Sequence, residues 1–239
     1  MKDDQGRPLV LPKFLSPHEP AKLRWSKSHP HLEQAGAATF VTWCLRDAVP
    51  RDFFRTLYRK RIAWLNRPGV PVTDKPRDGL LNALPWQLRQ EYYRLFVQPV
   101  QVALDECHGS CILRDPTLRA VVDGTILYYD DQRYTVYDYV VMPNHVHVLM
   151  ATRGEGLLDH VRRWKRYTAR SINKLLGRQG RLWHRDCFDH IVRSAGYFLK
   201  YRRYIADNPR RAGLAPGEYS HYTRKLPYPY DALNLKPEP

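Results

Sequence analysis

The run Tyr139–Met150 constrains the fold more than any other stretch, because it is the most apolar run in the chain and carries two histidines one residue apart. Proline lacks the N–H that a sheet ladder needs, so the sequence predicts two strands joined by a tight turn at Pro143 and Asn144. Side chains alternate along a strand, so His145 and His147 share one face while the valines beside them point to the other. The run therefore predicts a hairpin with a polar pair on one face and the core on the other.

The sequence around the histidine pair allows two interpretations. Two imidazoles on one strand face can hold a metal ion. The same pair can also be structural, half-buried and hydrogen-bonded to its neighbours. A metal centre needs a third ligand, and a reaction needs a nucleophile, which the rest of the chain has to supply.

The segment Tyr201–Pro209 offers both groups. Tyr204 and Asn208 are four residues apart, so in a helix they lie on one face, one turn from each other. An amide oxygen is a hard ligand that suits Mg²⁺ or Mn²⁺, and a phenol can act as a covalent nucleophile. Spacing alone does not single out Tyr204 among the sixteen tyrosines, and Tyr167 on a predicted basic helix is a rival.

The charge distribution predicts a polyanionic partner. The formal net charge is +15, and residues 151–215 hold sixteen Lys/Arg against five Asp/Glu. A solvated helix face is the simpler explanation, but such faces usually mix both signs, and like charges at i, i+4 repel. Nucleic acid offsets that repulsion through phosphate contacts. The predicted DNA contacts are Arg162, Arg163, Lys165, Arg166, Arg170, Lys174, Trp183, Arg185 and Arg203.

The hydrophobic pattern predicts one α+β domain over residues 36–215, preceded by an arm at 1–35 and followed by a proline-rich tail at 216–239. Pro99 should end or kink the helix that begins at Pro85, and the last helix should end before Asn208 and Pro209. Residues 66–84 should form a loop, and the aromatic stretch 181–192 contains a further candidate strand. The predicted strands are 37–45, 134–142 and 145–151, and the predicted helices are about 50–64, 85–95, 115–129, 157–176 (closed by Gly177) and 195–206.

Composition excludes several classes of protein. Four scattered cysteines do not make a disulfide framework, and Cys107 and Cys111 lack the second close pair that structural zinc requires. No apolar run reaches the length of a membrane span, and the first fifteen residues do not resemble a signal peptide. We therefore expect a cytoplasmic, nucleoid-associated protein with no membrane partner.

Three motifs occur in a fixed order along the chain. They are Met142–Leu149, Leu182–His190 and Tyr204–Leu214. Together they resemble the motifs of single-tyrosine HUH transposases, and most of all those of REP-associated tyrosine transposases. The resemblance covers about residues 36–215. It implies an antiparallel sheet flanked by helices, in a ferredoxin- or RRM-like HUH endonuclease fold.

The resemblance also implies a site and a reaction. The family's paired metal ligands correspond to His145 and His147, its catalytic tyrosine to Tyr204, and its third ligand to Asn208. These residues would bind Mg²⁺ or Mn²⁺ and cleave single-stranded DNA at hairpin-forming repeats through a 5′-phosphotyrosine, followed by strand transfer. Residues 46–115 are longer than in the smallest family members, and the motifs predict no role for them. Such proteins act as monomers or homodimers, and the sequence does not decide between these states.

Two other functions fit the same residues. A catalytically silent relative would bind hairpin DNA or RNA without cutting it, although such a protein has no need to keep His145, His147, Tyr204 and Asn208 together. A metal-dependent phosphodiesterase would use water as its nucleophile and leave Tyr204 a structural role.

Overall fold

The fold is built on an antiparallel sheet, which a computed structural model describes over residues 10–25, 30–50, 52–70 and 85–230. In chain order its elements are β1 (Ala21–Trp25), β2 (Pro30–Gln34), β3 (Ala38–Cys44), α1 (Phe53–Leu65), α2 (Trp86–Tyr92), a π-helical turn (Tyr93–Val97), α3 (Gln98–Asp105), a 3-10 turn (Ile112–Arg114), α4 (Pro116–Leu127), β4 (Tyr134–Val141), β5 (His145–Thr152), α5 (Leu157–Leu175), β6 (Phe188–Ile191), α6 (Ala195–Arg211) and β7 (Ser220–Thr223).

Strand β5 lies at the centre of the five-stranded sheet. The strand order is β6-β3-β5-β4-β7, and all neighbouring strands are antiparallel. Helices flank this sheet, so the predicted α+β class with an antiparallel sheet is confirmed. The turn between β4 and β5 is also as predicted, because the Met142 N–H donates to the His145 carbonyl at 2.9 Å across Pro143 and Asn144.

The side-chain alternation of β5 divides the core into two layers. On one face Leu149 packs with Phe40, Phe198 and Ile205, which places α6 against the histidine face of the sheet. On the other face the valines of β5 pack with residues of α4 and α5, including Val122 and Trp164. The sheet therefore separates the histidine layer from the basic helix α5.

Helix ends explain several boundaries. The Asp115 side chain accepts from the Thr117 N–H and caps α4, as the sequence predicts. Gly177 follows α5 with φ +59°, and the bonds Gly177 N–H to Lys174 O and Arg178 N–H to Asn173 O close a Schellman motif. These local signals were sufficient to place both ends correctly.

The predicted end of the last helix was wrong. Helix α6 continues through Asn208 and Pro209 to Arg211. Proline removes one N–H and crowds the preceding turn, but here it stands two residues from the end of a helix that packs on the sheet. Asn208 therefore lies inside the helix, on the same face as Tyr204.

Other differences lie at the ends of the chain. The predicted arm contains the β1–β2 hairpin, and the predicted tail contributes β7, which pairs with β4.

Pro99 does not end the helical region but stands in the first turn of α3, after the π-helical turn. Of the predicted loop 66–84, residues 71–84 lie outside the described residues. Among the described helices, none is long and apolar enough to cross a membrane.

Candidate metal and nucleophile site

The two histidines of β5 form the floor of the candidate site. His145 is 0% exposed and His147 is 1% exposed. Their registers opposite Cys44 and Thr42 on β3 fix both rings on the α6 face. The Nε2 atoms of the two rings are 3.0 Å apart. The shared face of the two rings is the arrangement that the His-x-His spacing predicts for a strand.

Neighbouring polar groups orient both rings. Asn144 donates its Nδ2–H to the His108 carbonyl at 3.2 Å, so its Oδ1 is an acceptor for the Nδ1–H of His145 at 2.7 Å. His145 therefore carries its lone pair on Nε2, toward His147. The Thr42 hydroxyl lies 2.7 Å from Nδ1 of His147 and holds that ring. Such outer hydrogen bonds orient metal-binding histidines.

Burial keeps both imidazoles neutral. Removal from solvent lowers the pKa of His145 to about 3, and Asn208 opposes this effect only in part. Burial also lowers the pKa of His147 well below its usual value, and the adjacent His145 and Arg211 lower it further. A neutral imidazole is the form that binds a metal ion.

The spacing of the nitrogens fits an octahedral ion. Two ligand atoms that are each about 2.1 Å from one ion, at about 90° to each other, lie about 3.0 Å apart. The two Nε2 atoms have this separation. The donor set of His145 and His147 thus fits a divalent ion, provided that oxygen ligands stand nearby.

Asp105 supplies an oxygen that the sequence did not predict. It ends α3, and its carboxylate belongs to a cluster with His145 and His147 whose ligand atoms all lie within 4.8 Å of one another. Burial raises the pKa of Asp105, against the opposing effects of Arg211 and Asn208. Asp105 lies within residues 46–115, for which no role was predicted, and nothing in its immediate sequence marks it as a ligand.

Asn208 lies beside this cluster. Its side chain is fully buried, and its Nδ2–H donates to Asp105 Oδ1 at 3.2 Å. Its Oδ1 has no hydrogen-bond partner among the described residues. A buried amide oxygen without a partner is costly, and a metal ion or a bound substrate would satisfy it. The proposed role of Asn208 as a ligand is compatible with this position.

Tyr204 lies directly over the histidines. Its ring centroid is 5.2 Å from that of His147, edge to face, and the Arg211 guanidinium lies 5.2 Å from the Tyr204 ring. The Tyr204 hydroxyl is buried and makes no hydrogen bond among the described residues. Burial raises the pKa of Tyr204 and Asp105 raises it further, whereas Arg211 and Asn208 act in the opposite direction. The phenol is therefore protonated in this structure.

The rival tyrosine stands elsewhere. Tyr167 is 61% exposed on α5, in the layer on the other side of the sheet from the histidines. The structure does not bring it to the candidate site. Of the two candidate nucleophiles, only Tyr204 lies next to the histidine pair.

The predicted DNA contacts occupy different environments. Lys165 donates to the carbonyls of Arg185 and Asp186 at 3.0 and 3.1 Å, and burial lowers its pKa. Trp183 is 3% exposed, and its Nε1–H donates to Thr168 Oγ1 at 2.9 Å, so its ring has no open face for a base. The other candidates are exposed: Arg162, Arg163, Arg166, Arg170, Lys174, Arg185 and Arg203.

No protein-family model matches the chain, and no curated protein matches it. The chain is similar to a solved structure of a REP-associated tyrosine transposase bound to a REP hairpin, with 16% identity and a TM-score of 0.38. The similarity covers 76% of this chain and 72% of that chain. A TM-score of this size does not establish a shared fold, and the functional interpretation rests on the side chains themselves.

Proposed function

We propose that the protein cleaves single-stranded DNA with Tyr204 as the nucleophile, in a metal-dependent strand transfer that proceeds through a 5′-phosphotyrosine. The observation that carries the proposal is the position of Tyr204, whose ring contacts His147 in a buried cluster that also holds His145, Asp105 and Asn208. Asp105, the histidine pair, and the pair of Tyr204 and Asn208 stand far apart in the chain and lie side by side in the fold.

The ligands are assigned from the donor atoms. His145 and His147 would hold the ion through Nε2, with oxygen ligands from Asp105 and Asn208. Nitrogen and oxygen donors at octahedral spacing suit Mg²⁺ or Mn²⁺. When bound, the ion polarises the phosphate and stabilises the charge that develops on it.

Tyr204 performs the covalent step. Its oxygen forms a bond to phosphorus, the bond from phosphorus to the 3′ oxygen breaks, and the released 3′-hydroxyl takes up a proton while the phenol gives its proton to solvent. A free 3′-hydroxyl reverses the step on the same strand or on another. One phosphodiester replaces another, so the reaction needs no nucleotide hydrolysis. Arg211, which lowers the pKa of Tyr204, stabilises the phenolate as the proton leaves.

The substrate follows from the charge and from the need to reach a buried phenol. The exposed cations of α5 suit a polyanion. A flexible single strand can bend and bring one phosphate into the buried cluster. A duplex is wider and stiffer, and its phosphates are fixed along two paired strands. We propose single-stranded DNA next to a hairpin as the substrate, bound by a monomer or a homodimer in the cytoplasm.

A denaturing gel tests the proposal. Purified protein is incubated with labelled single-stranded DNA that carries a hairpin, with Mg²⁺, with Mn²⁺ and with EDTA. A labelled adduct that survives denaturation and requires metal is expected. Tyr204→Phe should abolish it, while Tyr201→Phe, one turn earlier on α6, and Tyr167→Phe should retain it.

The other outcomes identify the alternatives. Free cleaved product without an adduct indicates a phosphodiesterase that uses water. A gel shift without cleavage indicates a binding protein without catalysis. An adduct that persists in Tyr204→Phe and disappears in Tyr167→Phe would refute the assignment of the nucleophile.

A further inference from the structure

We propose that a groove between α4 and α5, on the side of the sheet opposite Tyr204, holds an unpaired segment of the DNA strand. This inference rests on the proposed function for the identity of the polymer. The groove has a volume of about 850 Å³, within the range of sites that hold a ligand of nucleotide size or larger. Its walls come from the two helices and from the turn that precedes β4.

The groove is positively charged. Four arginines line it, and no carboxylate does so among the described residues. Arg163 also pairs with Glu155, whereas Arg166 and Arg170 stand one turn apart on the exposed side of α5. Guanidinium groups spaced along a groove fit successive phosphates of a nucleic acid strand.

Exposed aromatic rings stand among these cations. Tyr128 is 71% exposed and Tyr167 is 61% exposed, and they line the groove from α4 and α5 respectively. A third ring, that of Tyr129, lies under the Arg133 guanidinium at 4.1 Å. Exposed rings beside phosphate-binding cations are the usual platform for unpaired bases. A base-paired duplex has no free base faces to offer these tyrosines, so the arrangement favours a single strand.

A buried histidine lies in the wall of the groove. His160 is 2% exposed and lines the groove, and its Nε2 has no hydrogen-bond partner among the described residues. The carboxylate of Glu155 stands 3.6 Å away, beyond hydrogen-bond distance.

Gly124 keeps the floor of the groove open. A glycine inside a helix costs about 1 kcal/mol relative to alanine, yet a Cβ at Gly124 would meet no atom within 4 Å. The packing of the protein therefore does not require glycine at this position. Gly124 lines the groove, and the absence of a side chain there leaves space for a ligand.

The strand thus has two points of attachment on the protein. Its reacting phosphate lies at Tyr204, and a second unpaired segment lies between α4 and α5 on the other face of the sheet. The groove would add affinity without touching the reacting atoms. Binding there should therefore not depend on the metal.

Fluorescence anisotropy with a labelled, unstructured DNA oligonucleotide in EDTA tests the groove without catalysis. Gly124→Leu fills the groove and should weaken binding about 10-fold or more, and Tyr167→Ala should do the same because it removes a stacking surface. Gly124→Ala adds only a Cβ and should weaken binding less than Gly124→Leu does, with an unfolding temperature at least as high as that of the wild type. Unfolding curves of all variants verify that each is folded.

A charge control distinguishes binding in the groove from general electrostatic attraction between DNA and the basic protein. Arg166→Gln should weaken binding and reduce the salt dependence by about one phosphate contact, whereas Lys60→Gln, an exposed change on α1, should change neither by as much. Duplex DNA of the same length should compete poorly with the single strand.

Equal binding by wild type, Gly124→Leu and Tyr167→Ala would overturn the inference. So would capture of an acidic peptide in the groove in preference to DNA. The proposed function fails separately, by the absence of a Tyr204 adduct on the denaturing gel. If groove variants bind normally while the adduct still forms, the groove is excluded and the nucleophile assignment stands.

Discussion

The buried ion pair between Arg202 and Asp138 fixes helix α6, which carries Tyr204, on the sheet. Arg202 Nε and Nη2 donate to the two carboxylate oxygens at 2.7 and 3.2 Å, and the side chains are 0% and 1% exposed. Arg202 also donates to the carbonyls of Arg224 and Tyr230. Because Tyr204 follows two residues later on α6, this pair helps to set its distance from β5.

Arg202→Met breaks the pair and leaves Asp138 buried, with the Thr223 hydroxyl still donating to it. Loss of one partner of a fully buried pair costs about 3–5 kcal/mol, because the remaining charge is uncompensated. For a chain of this size each kcal/mol lowers the melting temperature by about 2–4 °C. We therefore expect thermal unfolding, followed by circular dichroism near neutral pH, to shift down by about 6–20 °C.

Two further variants make the result decisive. Arg203→Met changes the exposed neighbour on the same helix and should shift unfolding by about 2 °C at most. Combining Arg202→Met with Asp138→Asn removes both charges, so the double variant should lose less stability than the sum of the two single changes. A shift below about 3 °C for Arg202→Met would show that the pair does not hold α6, and would refute the reasoning.

Three further predictions concern the site and the core. Asp105→Asn should weaken Mn²⁺ binding at least 10-fold by calorimetry, since it removes the carboxylate of the cluster; unchanged affinity would exclude Asp105 as a ligand. Burial raises the pKa of Asp105 and lowers that of His145 to about 3, so Mn²⁺ affinity should drop as the pH falls toward the range where Asp105 takes a proton. This drop should be absent in Asp105→Asn. A drop of equal size in both proteins would argue against Asp105 as the titrating ligand. Trp183→Phe should lower the unfolding free energy by about 1–3 kcal/mol, because it leaves the buried Thr168 hydroxyl without its donor, while DNA affinity stays within about 2-fold; a large loss of DNA binding in a folded variant would restore Trp183 as a contact.

The sequence was most informative where local pattern decides structure. The alternation around His145 and His147, interrupted by Pro143, correctly predicted two strands, the turn between them and the shared face of the rings. The i, i+4 spacing of Tyr204 and Asn208 correctly predicted that both lie on one helix face, although the predicted helix ended at Ala206, before Asn208. These features depend on neighbours within a few residues, and such neighbours can be read directly from a sequence.

Asp105 could not be predicted, because its position beside the histidines depends on how the long segment between β3 and β4 folds back onto the sheet. It lies forty residues before His145, at the end of a helical segment that contains a π-helical turn and Pro99. Trp183 shows the opposite error. An aromatic residue among cations resembles a stacking surface, but its position against β3 and α5 buries it, with its ring edge to face against that of Trp43 in the cluster that also holds Trp164.

Strand β7 was missed for a third reason. It has four residues, Ser220–Thr223, at the edge of the sheet, and its half-exposed side chains show no clear alternation. Short edge strands are held by their partner more than by their own composition. The antiparallel pair of β1 and β2 was also missed, although β1 alternates between apolar and charged residues.

Identifying the residue that becomes covalently joined to DNA tests the proposed mechanism most directly. Wild-type protein is allowed to react with hairpin-bearing single-stranded DNA and Mn²⁺, the complex is digested with protease and nuclease, and the modified peptide is sequenced by mass spectrometry. The proposed mechanism predicts a nucleotide linked through its 5′ phosphate to Tyr204. Modification of Tyr167 or Tyr201 instead, or cleaved DNA with no modified peptide, would contradict it.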